Sequence, residues 1–262
     1  MRRLLGARGM QALSLLAPGQ SALVFDLDGT LAPLTAKRED AYVPAATASR
    51  LHELSRSWSI AVVTGRSASD AAVRLGFEPR CLIGNHGAER WGPPATDSSR
   101  ALQRALDPVR EQLQLRLRLR LAAGELQTRG VEIEIEDKGM SLALHYRRSS
   151  NPVAALATVR ELLMEKFAGV RISRGHYVVN ITALNAPDKG DAMRAVLDEW
   201  GLSCALVVGD DSNDEPAFLK ATPGSVTVRI GPMETPTAAH FALEFQHEVD
   251  QLLDVMLGLR TG

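Results

Sequence analysis

Short apolar runs that end abruptly in polar clusters place the strongest constraint on how this chain folds. Residues 23–25, 60–63 and 205–208 are each apolar and of strand length, and polar residues follow each of them at once. Runs of this kind, separated by segments with helical periodicity, indicate the buried strands of a parallel sheet. We therefore predict an α/β fold with a Rossmann-like parallel-sheet core.

The middle of the chain has a different pattern. Residues 131–136 and 140–146 alternate between apolar and polar, which predicts a hairpin, and a second strand pair is expected at 170–173 and 177–181. A helix that starts at Asn151-Pro152 separates the two pairs. We predict an antiparallel α+β domain inserted into the parallel one, with residues 1–100 and 183–262 in the core domain and residues 101–182 in the insert.

One arginine-rich stretch in the insert fits two structures. Residues 115–121 alternate Leu and Arg with period two, as in a strand, yet both residue types favour helices. We expect a helix from about residue 101 and leave the second half open. A solvated face is the favoured interpretation of these arginines, ahead of an anion site.

Composition excludes several classes of protein. The 262 residues include 30 basic and 31 acidic side chains, for a formal charge of -1, whereas a general nucleic-acid binder carries a basic excess. No apolar stretch reaches the ~18 residues of a membrane span, and the basic start of the chain leads into no continuous apolar segment. We expect a cytoplasmic protein. Cys81 and Cys204 lie in apolar runs without zinc-ligand spacing and are expected to be buried, reduced thiols.

The polar clusters are expected to meet in space. Asp26 and Asp28 follow the first run, Thr64 the second and Asp210 a late one. Because ligands bind at the carboxyl ends of strands in open α/β sheets, these side chains should converge. Lys189 begins a predicted helix, where a cation opposes the helix dipole, so a structural role alone explains it poorly.

This combination suits phosphoryl transfer. Three neighbouring carboxylates repel each other unless a cation offsets their charge, and Mg²⁺ prefers such an oxygen site. A carboxylate such as Asp26 can be the nucleophile, and a carboxyl group two residues on, Asp28, can protonate the leaving oxygen. Thr64 and Lys189 can hold the phosphoryl group. Taken singly, Asp-x-Asp-Gly and Thr-Gly are also typical of turns. The acidic residues after residue 209 are also typical of the start of a helix.

The three polar clusters and Lys189 together resemble the four motifs of the haloacid dehalogenase superfamily of phosphatases. The insert resembles the α/β cap domain of that superfamily. Residues 84–90, 136–140 and 144–147 are similar to those of one branch, the trehalose-6-phosphate phosphatases. The resemblance runs from about Phe25 to Phe218. It implies Mg²⁺-dependent hydrolysis of trehalose 6-phosphate through an aspartyl phosphate.

The resemblance also implies roles for individual residues. Asp26 would be nucleophile and metal ligand, Asp28 the acid/base that lends its carbonyl to the metal, and Asp210 the remaining ligand, supported by Asp214. The residues expected to contact the substrate are Gly29, Thr30, Gly65, Arg66 and His86 in the core domain and Glu136, Lys138, Arg147, His176 and Asn180 in the cap.

Two cap positions depart from the family pattern. The family usually has Gly-Lys followed by a glutamate four residues after the lysine, whereas this chain has His176 and Asn180 at those positions. A surface-turn role for His176 is as compatible with the sequence as a ligand role. The departures concern the sugar, and the catalytic motifs are intact.

Other functions stay open at this level. They are the same chemistry on another sugar or polyol phosphate, a phosphomutase, and a non-catalytic domain that binds sugar phosphate, which the intact catalytic residues disfavour. As partner we expect a small-molecule sugar phosphate, with no nucleic acid and no membrane, and the protein is expected to be a monomer.

Overall fold

The chain forms two compact units in a computed structural model. The model describes residues 2–35, 37–92, 96–164, 167–175 and 177–259. Unit 1 comprises Met1–Gly92 and Pro187–Gly262, and unit 2 comprises Pro93–Ala186. Unit 2 begins before and ends after the predicted insert, because its first helix starts at Asp97 and its last strand runs to Ala183.

Unit 1 alternates strands with helices. Its strands are β1 (Arg2–Arg3), β2 (Ser21–Phe25), β3 (Ser59–Val63), β4 (Cys81–Gly84), β5 (Glu89–Arg90), β10 (Cys204–Gly209), β11 (Val226–Ile230) and β12 (Phe241–Leu243). Its helices are α1 (Ala7–Leu13), α2 (Ala45–Leu54), α3 (Ala68–Ala72), α7 (Lys189–Trp200), α8 (Glu215–Leu219) and α9 (Glu248–Gly258), with 3₁₀ turns at Arg38–Asp40, Asn85–Gly87 and Ser212–Asp214.

These strands form one eight-stranded sheet in the order β1-β12-β11-β10-β2-β3-β4-β5. All neighbours are parallel except β4 and β5. Phe25 of β2 pairs with Val208 of β10 on one side and with Val62 of β3 on the other. The predicted α/β fold is therefore confirmed, and the carboxyl ends of β10, β2 and β3 are neighbours.

Each face of this sheet has its own apolar layer. On one face, Leu23 and Phe25 pack with α2 and α9. On the other face, Ala22 and Val24 pack against α7, which contributes Met193. Because side chains of a strand alternate between faces, burial on both faces requires the continuous apolar runs seen in the sequence.

Unit 2 packs helices on one face of an antiparallel sheet. It contains α4 (Asp97–Ala122), α5 (Glu125–Thr128), β6 (Glu134–Asp137), β7 (Ser141–His145), α6 (Pro152–Leu162), β8 (Val170–Gly175) and β9 (Val178–Ala183), with strand order β6-β7-β9-β8. Leu142, Leu144, Val179 and Ile181 point into the apolar core with α4 and α6. The opposite face carries Glu136, Ala143 and Asn180 in one register row.

The leucine–arginine stretch is entirely helical. Leu113 and Leu117 are buried four residues apart, while Leu115 and Leu119 are 58% and 62% exposed. Helical spacing lets Leu117 extend the buried stripe, and a strand would have placed Leu115, Leu117 and Leu119 on one face. Arg116 bonds the Leu162 carbonyl and Arg120 pairs with Glu161.

Several details differ from the sequence predictions. The helix predicted to start at Asn151-Pro152 begins at Pro152 and ends at Leu162. Strand β1 was missed because two arginines carry no strand pattern and are ordered by parallel pairing with Phe241 and Ala242. Both cysteines are free, and Cys204 is only partly buried, in contact with the Ser21 hydroxyl. Among the described residues, no helix is long and apolar enough to cross a bilayer.

Candidate active site

The carboxyl ends of β10, β2 and β3 bring polar side chains to one edge of the sheet. Asp26 follows β2, and its backbone N–H donates to the Val208 carbonyl at 2.9 Å. Thr64 follows β3 and is fully buried, and Asp210 follows β10. Together with Asp28, Lys189 and Asp214, these residues are called the strand-end site below.

Lys189 links two of these carboxylates. Its Nζ lies 2.8 Å from Asp26 Oδ1 and 2.6 Å from Asp214 Oδ1, and its side chain is 3% exposed. Burial alone would lower the pKa of Lys189, but the attraction of Asp214 and Asp26 outweighs it and raises that pKa. A buried cation at the first position of α7 is thus stabilised by its anions, despite the unfavourable helix dipole.

Asp214 has both carboxylate oxygens engaged. Oδ1 accepts from Lys189, and Oδ2 accepts from the backbone N–H groups of Asp210 and Asp211, each at 3.0 Å. The side chain therefore closes the loop after β10 and fixes Lys189 at the same time. Its position is suited to supporting a neighbouring ligand.

Asp210 completes an acidic group with Asp26 and Asp214. One oxygen atom of each lies within 4.8 Å of those of the other two. Within the part of the chain that the structure describes, the buried Oδ1 of Asp210 has no hydrogen-bond partner. A buried carboxylate oxygen without a partner is costly, so a cation or a proton at this oxygen would stabilise the acidic group.

The pKa values of the acidic group report the same shortage of positive charge. Burial raises the pKa of Asp26 to about 7; Lys189 opposes this rise and repulsion from Asp214 adds to it. Burial, followed by repulsion from Asp26 and Asp214, holds the pKa of Asp210 well above its ordinary range. One ammonium group does not offset three carboxylates here.

Gly29 leaves room for Asp210. Its φ is +78°, and a Cβ there would lie 2.0 Å from Asp210 Oδ2. A larger residue would be strained and would push Asp210 out of the acidic group. The Asp-Gly pair of the first motif is therefore explained by a close approach as well as by a turn.

The Asp28 side chain binds Arg66. Arg66 Nε lies 2.7 Å from Asp28 Oδ2, and Nη2 lies 2.6 Å from Oδ1. Arg66 is 2% exposed and also binds Asp70 Oδ2 at 2.7 Å and the Arg38 carbonyl at 2.8 Å. Its guanidinium is engaged by protein groups on several sides.

The remaining core residues predicted to contact substrate line the same loops. The backbone N–H of His86 donates to the Thr64 carbonyl at 2.9 Å, and a Cβ on Gly65 would meet the imidazole ring of His86 at 2.4 Å. Thr30 is fully buried, and within the described residues its hydroxyl has no partner. The structure thus places Gly65 and His86 in contact beside Thr64.

Unit 2 brings part of its predicted set together. Glu136 Oε2 lies 2.8 Å from His145 Nε2, which donates to it when that ring nitrogen carries a proton, and 3.7 Å from Lys138 Nζ. Glu136 is directly opposite Ala143, which is directly opposite Asn180, and Asn180 is 2% exposed. The four polar residues of this set, Glu136, Lys138, His145 and Asn180, are called the unit 2 polar row. Arg147 is half-buried two residues beyond β7, and His176 lies outside the described residues.

Sequence reasoning missed three residues near these groups. Asp70 binds Arg66 and Arg74, and its position four residues after Arg66 on a short helix was an available signal. His145 holds Glu136 from two residues beyond the opposing Ala143, which no local pattern indicates. Asn213 precedes Asp214, and in the described part of the chain its buried Oδ1 has no partner.

A protein-family model described as Trehalose-phosphatase matches residues 24–246. The chain belongs to the trehalose-phosphatase family. The match spans the strand-end site and the unit 2 polar row, so both form part of the family's domain.

Relatives in this family include a trehalose-phosphate phosphatase of Mycobacterium ulcerans, which is 31% identical over 235 residues, covering 85% of this chain and 58% of the relative. One of Mycobacterium tuberculosis is 28% identical over 259 residues, covering 94% of this chain and 64% of the relative. The chain therefore spans roughly three-fifths of the length of these relatives.

The fold of the trehalose-phosphatase family recurs in solved structures. The C-terminal domain of a Candida albicans trehalose-6-phosphate phosphatase has a TM-score of 0.80 at 18% identity, with 97% of each chain covered. This likeness shows a shared fold.

Proposed function

We propose that this chain is a magnesium-dependent phosphatase that hydrolyses trehalose 6-phosphate to trehalose and phosphate. The observation that carries the proposal is the Asp26 carboxylate at a strand end, fixed by buried Lys189 and grouped with Asp210 and Asp214. Membership of the trehalose-phosphatase family and the similarity to trehalose-phosphate phosphatases of mycobacteria support the choice of trehalose 6-phosphate as substrate.

The proposed reaction has two phosphoryl transfers at Asp26. A carboxylate oxygen of Asp26 attacks the phosphorus, the bond between phosphorus and the sugar oxygen breaks, and the sugar oxygen takes a proton from Asp28. Water then attacks the aspartyl phosphate and gives a proton to Asp28, which restores Asp26 and releases phosphate. On this proposal, Thr64 and Lys189 bind the phosphoryl oxygens.

The acidic group fits a magnesium ion. The carboxylates of Asp26 and Asp210 and the Asp28 carbonyl would hold it, with Asp214 in support. The fit rests on the all-oxygen donor set and on the unpartnered Asp210 Oδ1 among the described residues. When bound, the ion supplies positive charge against the carboxylates and the transferring phosphoryl group.

The unit 2 polar row is proposed to select the sugar. Glu136 and Lys138 offer charged groups that bind several hydroxyls, and Asn180 adds an amide in the same row. Selectivity has to come from the sugar, because a phosphoryl site treats all phosphate monoesters alike. On this proposal, unit 2 is the domain that determines substrate specificity.

A second candidate is the same reaction on a different sugar or polyol phosphate. The observation that favours it is the neutral Asn180 at a position where the family usually has glutamate. A carboxylate only accepts hydrogen bonds, whereas an amide accepts and donates, so the two side chains suit different hydroxyl arrangements.

Phosphate release from a panel of sugar phosphates tests the proposal. With Mg²⁺ present, trehalose 6-phosphate should give the highest kcat/KM and equal amounts of trehalose and phosphate. A chelator should stop turnover, and added Mg²⁺ should restore it. Preference for another ester would establish the second candidate, and isomer formation without phosphate would indicate a mutase. Binding without turnover of any ester would contradict both proposals.

A further inference from the structure

Arg66 contacts the carboxylate of Asp28 through two of its nitrogen atoms. Two parallel N–H···O bonds of 2.7 and 2.6 Å join the planar guanidinium to both oxygens of the carboxylate. Bidentate pairs of this kind fix the orientation of both partners. Arg66 is 2% exposed while the Asp28 side chain is 30% exposed, so the arginine is the embedded partner and the carboxylate faces outward.

Arg66 is itself held in place from behind. Its Nη1 binds Asp70, and Asp70 also accepts from Arg74 Nη2 at 2.8 Å. Arg74 in turn donates to the Glu39 carbonyl at 2.6 Å. These contacts tie the Arg38–Asp40 turn to helix α3, and Asp70 together with the Arg38 carbonyl holds the Arg66 guanidinium against Asp28.

We propose that Arg66 is a positioning residue that orients the Asp28 carboxyl group for its two proton transfers, and that it does not bind the substrate phosphoryl group. This inference rests on the proposed phosphatase function. It revises the substrate-binding role that the sequence suggested for Arg66.

The geometry leaves Asp28 competent for both steps. A carboxylate has about four lone-pair sites, and the bidentate contact uses one on each oxygen. The remaining sites face away from Arg66. In the first step Asp28 gives its proton to the sugar oxygen as the bond between phosphorus and oxygen breaks, and in the second it takes one from the attacking water.

Two substrates with different leaving groups separate positioning from phosphoryl binding. A sugar alkoxide is a poor leaving group and needs the proton from Asp28, whereas p-nitrophenolate leaves without one. The second step, attack of water on the aspartyl phosphate, is common to both substrates and needs Asp28 as base.

The test compares Arg66→Met with wild type in the presence of Mg²⁺. On trehalose 6-phosphate, or the best sugar ester found for the wild type, kcat/KM should fall by about 10²–10⁴-fold, the usual contribution of an acid/base group. On p-nitrophenyl phosphate, kcat/KM should stay within about threefold. The variant should release p-nitrophenol in a burst of about one equivalent per enzyme, because hydrolysis of the aspartyl phosphate becomes slow.

Arg74→Met is the matched control. It removes an arginine from the same Asp70 group without touching Asp28, so it should leave the ratio of the two kcat/KM values unchanged and give no new burst. If Arg66→Met does not fold, judged by circular dichroism, Arg66→Lys carries the test. A lysine keeps the charge but not the bidentate geometry, so the burst should persist with a smaller loss on the sugar ester.

Equal losses on both esters with a raised KM and no burst would show that Arg66 binds the phosphoryl group, and the inference would fail. The same changes in Arg74→Met would show a general structural role and would also overturn it. A wild-type protein without activity on any ester would instead refute the proposed function.

Discussion

The strand-end site and the unit 2 polar row differ in how their charged side chains are buried and paired. In the strand-end site, Asp26, Lys189 and Asp214 form a buried chain of opposite charges, and the backbone N–H groups of the next loop fix its end. In the unit 2 polar row, Glu136 and His145 are partly exposed, the Lys138 side chain is buried with its Nζ 3.7 Å from Glu136 Oε2, and Asn180 is buried and neutral. The difference fits chemistry in one place and recognition in the other.

The comparison teaches which substitutions each region tolerates. Removing one member of a buried charge chain leaves the others unpaired, which is strongly destabilising. On the proposed function, a row of groups that bind sugar hydroxyls can exchange an acid for an amide at a smaller cost, and Asn180 stands where the family usually has glutamate. We therefore expect the strand-end site to tolerate few substitutions, and the residues of the unit 2 polar row to differ between enzymes that act on different sugars.

The largest effect is expected at Asp26. Asp26→Asn keeps the shape of the side chain but removes the nucleophile, so turnover should fall by about 10⁴-fold or more on sugar and aryl esters alike. Phosphate release measures the loss, and circular dichroism should show an intact fold, because Lys189 keeps its ion pair with Asp214 in this variant. Asp254→Asn, on an exposed aspartate paired with Arg50, is the isosteric control and should keep full activity. Substantial activity of Asp26→Asn would refute the covalent mechanism.

A smaller effect concerns magnesium and pH. The pKa of Asp26 is raised to about 7, so without metal the folded chain binds a proton that the unfolded chain, with its ordinary pKa near 3.8, has lost. The free energy of unfolding of the metal-free protein should therefore decrease as pH rises from about 4 to 7. Mg²⁺ competes with that proton, so the stabilisation by Mg²⁺ should grow over the same range.

Thermal unfolding with and without Mg²⁺ at pH 5 and pH 8 measures this effect. At pH 8 and a free Mg²⁺ concentration of about 100 Kd, the ion should add about 2.7 kcal/mol. Asp210→Asn should remove most of this stabilisation. An equal shift of Tm at both pH values would mean that the ion binds away from the acidic group.

Much of the fold was predictable because parallel strands buried on both faces leave a direct trace in the sequence. The runs at 60–63 and 205–208 correspond to β3 and β10, and the helix start at Lys189 was placed correctly. Strand β1 and the second half of α4 were not fixed by sequence. Strand β1 depends on pairing with β12, and α4 depends on which leucines meet the core of unit 2.

The candidate site also has predictable and unpredictable parts. The positions of Asp26, Thr64 and Asp210 could be predicted because each follows the end of a strand, which is a local feature of the sequence. The contacts of Arg66 with Asp28 and of His145 with Glu136 join residues 38 and 9 positions apart, and residue types alone do not reveal them. Several acceptors are available to Arg66 and to His145 in the sequence, and only the three-dimensional structure shows which one each contacts.

The most direct test of the division between chemistry and recognition is Glu136→Ala assayed on two substrates. If the unit 2 polar row reads the sugar, kcat/KM for trehalose 6-phosphate should fall by about tenfold to a thousandfold, roughly 1.4–4 kcal/mol. Hydrolysis of p-nitrophenyl phosphate should barely change, because that ester carries no sugar hydroxyls. Glu134→Ala, two residues away on the same face of β6 and exposed, should leave both rates unchanged. Equal losses on both substrates in Glu136→Ala would contradict the account, since they would assign Glu136 to folding or to catalysis in general.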